Sequence, residues 1–380
     1  MKIKILFGLE ATGGGALKHL VYLVTRLNKD VFDITVILSD ARDENVGKEI
    51  AKIKEFGAKV ITFPMCRNIN TLKDLYSLVG IIALLKKNKI DIVHAHSSKA
   101  GGLFRLAAWF CKVDRIYYTP HCFYFQGKTG LKRFSFMMLE KLLAKITTGI
   151  IVSESEQKEI IKNKIAPISK IFNINNAIDF DEYPYTKRYA EVKKKYGLSY
   201  ESTVVASVGR LTHQKDWETF IFAANEVIKE LAETEFLIVG EGELYHEINK
   251  LIFKLSLEDK IFLTGYVENV DEIYGVIDIY VNTSLWEGLP YVILEAMRYK
   301  KPIVATDTGN GSVILHKETG FINPVKDYKS IARQIIFLIK NKAVGIEMGR
   351  KGNELLIEKY SFEKFIKEHE MIYKKSIVVN

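Results

Sequence analysis

The sequence is poor in cysteine, and this excludes a disulfide framework and the common zinc motifs. Its 380 residues include three cysteines, Cys66, Cys111 and Cys122. Their spacing matches no metal-binding pattern, and an odd number cannot form a complete set of disulfides. This usage is typical of a reducing compartment, so we expect a cytoplasmic protein.

Long hydrophobic runs are also missing. The longest nearly apolar stretch, residues 75–85, is too short to span a bilayer. The first residues, MKIKILFGLE, turn polar and glycine-rich after a few apolar positions, which predicts a buried strand rather than a signal peptide. We therefore expect a soluble protein or one bound to a membrane surface.

Acidic residues are scarce in the first half of the chain. Residues 1–178 contain 28 basic and 15 acidic side chains, whereas residues 179–380 contain 27 and 31. A basic half favours a partner that carries negative charge, such as phosphate, nucleic acid or an anionic membrane. Nucleic acid is disfavoured because no stacking or groove-reading motif accompanies the charge.

Two series of short β-branched segments alternate with amphipathic stretches, which predicts parallel sheets covered on both faces. The first series is predicted to form strands over residues 2–9, 33–39, 59–64, 91–97, 115–121, 149–155 and 171–178. The second series is predicted to form strands over residues 202–210, 234–242, 260–267, 277–284 and 301–308. In the helix predicted from residue 71, Thr71 and Asp74 are expected to form a capping box.

The architecture expected is α/β, with two doubly wound domains facing each other. We predict a first domain over residues 1–178, a second over 179–360, and a C-terminal helix over 361–380 that packs back on the first domain. Sheets of this kind bind ligands at the carboxyl ends of their strands. The expected site is therefore a cleft between the domains.

Glycine is concentrated directly after the first strand, in LEATGGGALKHL. Glycines at 13, 14 and 15 allow a tight turn and close approach to an anion at the start of a helix. The spacing is not that of a dinucleotide fingerprint, and no P-loop lysine follows. A plain turn is an equally open interpretation.

Two further motifs carry charge to predicted strand ends. In VGRLTHQKD, Arg210 and Lys215 follow a strand and could neutralise a leaving diphosphate, or could be ordinary surface charges. In SLWEGLPYVILEAM, Glu287 precedes a Gly-Leu-Pro turn and Glu295 lies within the next helix. Pro290 suits the first turn of that helix, and the N–H groups near it would face an anion.

Histidines occur at strand ends in the first domain. His94 and His96 alternate along one strand, but no third ligand is evident, so we expect core histidines and no metal site. His121 follows Pro120 at the carboxyl end of another predicted strand. It is therefore expected to face the ligand site.

Together these motifs resemble family 4 of the retaining glycosyltransferases, which have the GT-B fold. The resemblance covers nearly the whole chain, and its most specific element is EGLPYVILE, supported by GRLTHQK, VGEGE (239–243), FLTGYV (262–267) and ETGFINP (318–324). DIVHAHSSKAG and YTPHCFYF look like bacterial enzymes that build capsule, O-antigen or other surface polysaccharides.

The resemblance implies a role for each motif. Arg210 and Lys215 would bind the donor diphosphate, Glu295 the donor ribose, and Glu287 the transferred sugar. His121 would contact a sugar hydroxyl. The other implied donor-binding residues are Gly14, Gly15, Gly209, Gly240, Gly288, Leu289, Pro290 and Tyr291. Cys122 and TGNGS (308–312) depart from the usual pattern and leave the donor sugar open.

The implied activity is that of a retaining, metal-independent hexosyltransferase without a cofactor. It would move a sugar from a nucleotide-diphosphate donor, with UDP favoured over GDP, to a glycan or a polyprenyl-diphosphate-linked acceptor. A sugar-nucleotide epimerase and a non-catalytic partner subunit remain alternatives.

The stretch GKTGLKRFSFMMLEKLLAKI (127–146) mixes basic and apolar residues. It predicts a helix that lies peripherally on an anionic membrane at its inner face. The alternative is that Phe136, Leu139, Leu142 and Leu143 face the domain core.

Overall fold

The computed structural model describes residues 2–39, 46–66, 68, 70–180, 189–309 and 311–375. It divides into two compact units, one formed by residues 1–176 with 363–380 and the other by residues 177–362. Residues 181–188, within the predicted linker, and Asn310, within TGNGS, lie outside the described residues. None of the described helices is long and apolar enough to cross a membrane.

Unit 1 is built on a parallel sheet of seven strands. They are β1 (Ile3–Leu9), β2 (Phe32–Ser39), β3 (Lys59–Phe63), β4 (Ile92–His96), β5 (Arg115–Thr119), β6 (Gly149–Val152) and β7 (Ile171–Asn173). The order across the sheet is β3-β2-β1-β4-β5-β6-β7, so the direction of winding reverses between β1 and β4. Its helices are α1 (Gly15–Val24), α2 (Val46–Glu55), α3 (Thr71–Asn88), α4 (Ser98–Phe110), α5 (Gly130–Lys145), α6 (Glu154–Asn163) and, from the end of the chain, α14 (Phe362–Lys374).

Unit 2 repeats this plan with a parallel sheet of six strands. They are β8 (Thr203–Val208), β9 (Thr234–Val239), β10 (Ile261–Gly265), β11 (Ile279–Asn282), β12 (Ile303–Thr306) and β13 (Gly320–Asn323), in the order β10-β9-β8-β11-β12-β13. The helices are α7 (Tyr189–Lys195), α8 (Trp217–Glu230), α9 (Tyr245–Lys254), α10 (Asp271–Val276), α11 (Tyr291–Arg298), α12 (Tyr328–Lys340) and α13 (Lys342–Lys359). The winding reverses between β8 and β11.

The β-branched runs form the strands because both faces of each sheet are covered by helices. In unit 1 the sheet side chains Leu6, Val93 and Ile150 are fully buried against α4 residues such as Phe104. In unit 2, Trp217 and Phe220 of α8 pack on Val205 and Ile238. The predicted fold class, two doubly wound parallel-sheet units, is confirmed.

Helix α14 belongs to unit 1 although it follows unit 2 in the sequence. Its Tyr373 is fully buried, and the Tyr373 hydroxyl lies 2.6 Å from His94 Nδ1. Arg115 of β5 donates to the Tyr373 carbonyl at 2.6 Å, and the hydroxyl of Tyr117 donates to the Ile372 carbonyl at 3.2 Å. The helix is therefore part of the core of this unit.

Three local features of the structure differ from what the sequence predicts. Strand β13 was not predicted, because its four residues GFIN are too short to show a period. The N-cap of α3 is Asn70, not Thr71: Asn70 accepts from the Lys73 N–H, and Asp74 accepts from the Asn70 N–H. Pro290 is the N-cap of α11 rather than a residue of its first turn.

Helix α13 contacts the end of α11 and offers a test of the packing. A Cβ added at Gly349 would lie 1.9 Å from the Lys300 carbonyl oxygen, whereas one at Gly345 would meet nothing closer than 3.5 Å. We expect Gly349→Ala to lower the free energy of unfolding by about 3 kcal/mol, because a backbone carbonyl cannot move aside cheaply. Gly345→Ala, on the same helix, should be neutral or stabilise by about 0.5 kcal/mol through helix propensity. Equal urea midpoints for the two variants would contradict this packing.

Candidate functional site

The charged motifs of unit 2 lie where its winding reverses. Strands β8 and β11 are neighbours in the sheet, and GRLTHQK follows β8 while SLWEG follows β11. Ligands of doubly wound sheets bind outside the carboxyl ends of the strands at this reversal point. Topology therefore brings together two motifs that are far apart in the sequence.

Lys215 and Glu287 form an ion pair at this point. Lys215 Nζ lies 2.6 Å from Glu287 Oε1, and both side chains are largely buried, with 17% and 8% of their surface exposed. An ammonium group has three donors, so the contact with Glu287 leaves Lys215 able to donate to a bound anion. The pair can therefore present a cation and a carboxylate to one ligand.

Two further side chains hold Glu287, and the sequence analysis did not identify them. Ser284 Oγ donates to Glu287 Oε1 at 2.7 Å, and Gln214 Nε2 lies 3.4 Å from Oε2 while donating to the Trp286 carbonyl at 2.9 Å. Thr283 Oγ1 donates to the Lys215 carbonyl at 2.8 Å. Gln214 and Ser284 lie inside the two motifs, so the motifs themselves were the available signal.

Two glycines make this arrangement possible. A Cβ at Gly209 would lie 2.8 Å from Lys215 Cε, and one at Gly240, whose φ is +137°, would lie 2.1 Å from the Gly209 carbonyl oxygen. The loops after β8 and β9 are also joined by backbone hydrogen bonds, from Gly209 N to Val239 O at 2.9 Å and from Leu211 N to Glu241 O at 2.8 Å. The VGEGE motif thus supports the loop that carries Arg210 and Lys215.

Arg210 is exposed on the same loop. Its backbone carbonyl accepts a hydrogen bond from Trp217 Nε1 at 3.2 Å. Because Trp217 is buried in the unit 2 core, that bond fixes the backbone of Arg210 while its side chain faces solvent.

Helix α11 begins directly after the Gly-Leu-Pro turn. Gly288, Leu289 and Tyr291 are buried and Pro290 is partly buried. Glu295 is 5% exposed, and Tyr274 Oη lies 3.0 Å from Glu295 Oε2 and 3.1 Å from the Val292 carbonyl. Burial, reinforced by the charge of Glu295, raises the pKa of Tyr274 well above its usual value, so the hydroxyl stays protonated and can donate. Tyr274 was not identified from the sequence, which carries no local signal for a contact 21 residues away.

The glycines of unit 1 lie where β1 gives way to α1. Gly14 is the N-cap of α1, with φ +70° and ψ −154°, and both Gly14 and Gly15 are exposed. That φ is unfavourable for side-chain-bearing residues, which accounts for glycine here. The loop lies at the reversal point of this sheet, since β1 pairs with β4 and Leu9 is opposite His96.

Five of the eight histidines gather at this end of the unit 1 sheet. His121 stacks on His96 with ring centroids 5.3 Å apart, and its Nε2 lies 3.0 Å from His96 Nδ1. His19 of α1 lies 4.8 Å from His121 and 5.5 Å from His96, measured between ring centroids. His94 contacts His96 at 4.1 Å, and His369 of α14 contacts His19 at 5.9 Å.

The cluster is neutral at neutral pH. Burial lowers the pKa of His19 to about 4, and it lowers the pKa values of His94, His96 and His121 well below their ordinary value. The neighbouring histidines add to this effect for the last three. His121 itself adopts a positive φ of 49°, and so does Cys122, at 77°.

The expectation that no third ring lies near His94 and His96 is wrong. Ring nitrogens of His19, His96 and His121 all lie within 4.8 Å of one another. Sequence reasoning missed this group because its members come from α1, from β4 and from the residues after β5, which only the sheet order brings together.

Comparison with protein families assigns both units. Residues 13–182 match the model of Glycosyltransferase Family 4, and residues 189–354 match that of Glycosyl transferases group 1. The Escherichia coli UDP-Gal:alpha-D-GlcNAc-diphosphoundecaprenol alpha-1,3-galactosyltransferase is 32% identical over 321 residues, which is 83% of each chain. The capsular polysaccharide biosynthesis glycosyltransferase CapM of Staphylococcus aureus is 28% identical over 354 residues, or 91% of each chain.

Solved structures agree with this fold. The crystal structure of Anabaena Alr3699/HepE in complex with UDP and glucose aligns with a TM-score of 0.83 at 18% identity, covering 98% of this chain and 100% of that one.

Proposed function

This chain belongs to the group 1 and family 4 glycosyltransferases, which have the GT-B fold, and from that membership we propose that it moves a sugar from a UDP-sugar to a hydroxyl of a lipid-linked glycan. The product would enter a bacterial surface polysaccharide, as it does for the capsular relative. A GDP-sugar is the second donor class to test.

The observation that carries the proposal is the Lys215–Glu287 pair beside the first turn of α11. A cation and a helix N-terminus suit a diphosphate, and carboxylates suit sugar hydroxyls. We assign Lys215 and Arg210 to the diphosphate, Glu287 to the transferred sugar and Glu295 to the ribose. Gly209, Gly240 and residues 288–291 shape this part of the donor site.

In unit 1 we assign Gly14 and Gly15 to close approach of the donor phosphates, and His121 to a hydroxyl of the reacting sugar. The reaction we propose retains the anomeric configuration. The C–O bond to the diphosphate breaks as positive charge on Lys215 and Arg210 stabilises the leaving group. The acceptor hydroxyl attacks on the same face, and a donor phosphate oxygen takes its proton. No step in this scheme calls on a metal or cofactor.

The proposal is tested by incubating the protein with UDP- and GDP-sugars and a polyprenyl-diphosphate-linked acceptor. We expect a glycosylated lipid whose new linkage has the donor's anomeric configuration by NMR. Incubation without acceptor distinguishes an epimerase, since only an epimerase interconverts the donor sugar. Failure to transfer from any donor would favour a non-catalytic partner subunit.

The two glutamates give a sharper test of the assignment. If Glu295 binds the ribose, Glu295→Gln should weaken binding of UDP and of the UDP-sugar by the same factor, about 10-fold for one charge-assisted hydrogen bond. Glu287→Gln should leave UDP affinity unchanged and lower the rate of transfer, because its partner is the sugar. Calorimetry with UDP and a transfer assay separate the two. Equal losses of UDP affinity in both variants would refute the division of roles.

We also propose that unit 1 docks on the anionic inner face of the membrane through α5. Leu131, Phe134, Met138 and Leu142 recur at helical spacing and are 79%, 54%, 38% and 55% exposed. The alternative, that Phe136, Leu139, Leu142 and Leu143 face the core, holds for Phe136 and Leu143 and is wrong for Leu139 and Leu142, which are exposed. Lys132 and Lys145 of the same helix are exposed.

We expect Lys132→Glu with Lys145→Glu to weaken binding to anionic vesicles about 30-fold, at about 1 kcal/mol for each lysine. Leu131→Ser with Phe134→Ser should weaken it as well, whereas Phe253→Ser, 72% exposed in unit 2, should not. Vesicle sedimentation at low and high salt measures this. Equal binding to neutral and anionic vesicles would contradict an electrostatic contribution.

A further inference from the structure

The histidine cluster of unit 1 contains three rings that are placed to share one ligand. His19 and His96 are 2% and 0% exposed, and the Nε2 atom of each has no hydrogen-bond partner among the described residues. A buried polar atom without a partner costs free energy, so such atoms indicate a missing ligand or water. Three such atoms occur in this five-histidine cluster, the third being Nε2 of His369.

The hydrogen bonds around the cluster determine which ring nitrogens could bind a further ligand. Both nitrogens of His94 are engaged, Nδ1 with Tyr373 Oη at 2.6 Å and Nε2 with Thr119 Oγ1 at 2.9 Å. His19 Nδ1 lies 2.8 Å from Asn176 Oδ1, which can only accept. His19 therefore carries its proton on Nδ1, and its buried Nε2 presents a lone pair.

We propose that His19, His96 and His121 bind one transition-metal ion of the zinc class. Their ring nitrogens lie within 4.8 Å of one another, and a tetrahedral ion bound at about 2.0–2.1 Å would draw them to about 3.3 Å. His96 Nδ1 and His121 Nε2 are already 3.0 Å apart, so His96 would bind the ion through Nδ1 and keep its proton on Nε2. Asn176 would orient His19 as partners outside the ligand set commonly do at metal sites.

The chemistry of the three side chains fixes the class of ion. Imidazole nitrogens suit Zn²⁺, Co²⁺, Ni²⁺ and Cu²⁺, whereas Mg²⁺ and Ca²⁺ prefer oxygen. Metal ligands must be unprotonated, and the contact of His19 Nδ1 with Asn176 leaves Nε2 of that ring without a proton. The ion would leave a coordination position for water or another ligand.

Occupancy would have a consequence for transfer, which rests on the proposed function. His121 is assigned to a hydroxyl of the reacting sugar, and binding the ion would fix the orientation of its ring and turn the metal-bound nitrogen away from the sugar. The site would therefore be inhibitory, and a chelator would relieve the inhibition.

The test is titration of the full chain with Co²⁺, followed by competition with Zn²⁺. We expect one ion per chain, with the visible absorption of tetrahedral cobalt, and no displacement by Mg²⁺. His19→Gln and His96→Gln should each lower Co²⁺ affinity by more than about 100-fold, and Asn176→Ala by about 10- to 100-fold. His246→Gln, at an exposed histidine of unit 2, is the matched control and should bind normally.

The cobalt spectrum does not depend on turnover, so it remains informative if no sugar is transferred. His121→Gln provides a variant at a partly exposed position should the buried substitutions unfold unit 1, which circular dichroism reports. Absence of a tetrahedral spectrum, or equal affinity in wild type and in folded His19→Gln and His121→Gln, would overturn the proposal. If Co²⁺ binds but Zn²⁺ leaves the transfer rate unchanged, the inhibitory role is refuted while the site stands.

Discussion

Replacing Lys215 by alanine should slow sugar transfer by about 30- to 1,000-fold, the equivalent of roughly 2–4 kcal/mol of barrier. Lys215 Nζ is held 2.6 Å from Glu287 in a largely buried position, where a charge interacts more strongly than it would in water. Its positive charge is needed most as the diphosphate departs. The loss should therefore appear in kcat more than in KM.

The change at Lys215 also leaves the buried Glu287 without its counter-charge and in contact with Ser284 and Gln214, so stability must be measured beside the rate. Lys195→Ala is the matched control, because Lys195 forms an ion pair with Glu272 at 2.8 Å in the same unit but is 55% exposed. It should leave the rate unchanged. Arg210→Ala should slow transfer for the same reason as Lys215→Ala. Turnover within about threefold of wild type in both site variants would refute the leaving-group role.

Breaking the buried ion pair between α4 and α5 should destabilise unit 1 by about 3–5 kcal/mol. Arg105 is fully buried, and its Nη2 lies 2.9 Å from Glu140 Oε2. Arg105 Nε also donates to the Gly101 carbonyl at 2.6 Å, and the guanidinium lies 3.7 Å above the ring of Tyr118. Glu140→Leu would leave this guanidinium without its counter-charge.

The double variant Arg105→Met with Glu140→Leu tests whether the unpaired charge causes the loss of stability. Because removing both charges avoids the desolvation cost, its stability should return to within about 1 kcal/mol of wild type. Glu226→Gln breaks an exposed pair with Lys229 in unit 2 and should cost less than about 1 kcal/mol. Urea unfolding measures these changes in stability, and hydrogen exchange of the amides in α4 and α5 locates them in unit 1. A double variant no more stable than Glu140→Leu would show that packing, rather than charge, is lost.

Motifs whose information is local could be located from the sequence. The strand periods and the glycine and proline positions located GRLTHQK and the turn before α11, and the fold class followed from the alternation of strands and helices. The same reasoning could not pair Lys215 with Glu287. That contact spans 72 residues and depends on β8 and β11 being neighbours, which no spacing encodes.

The contacts that the sequence did not predict have the same origin. His19 reads as an ordinary helical residue until the sheet order places α1 beside the residues after β4 and β5. In α5 the sequence predicts that leucines are buried and that charged residues are exposed. The structure shows the reverse for two residues, since Glu140 is buried and Leu142 is exposed. Glu140 is buried because it pairs with Arg105 of α4, and that partner is visible only in the structure.

The place of α14 determines the order in which the chain can fold during synthesis. Unit 2 is continuous in sequence and can close once residue 362 has left the ribosome, whereas unit 1 still lacks Phe365, His369 and Tyr373 of its core. Domains usually complete in the order of their synthesis. Here the first unit to be made is the last to be finished. A chain that terminates before α14 would expose the carboxyl end of the unit 1 sheet, where the histidines lie, while its second unit is already folded.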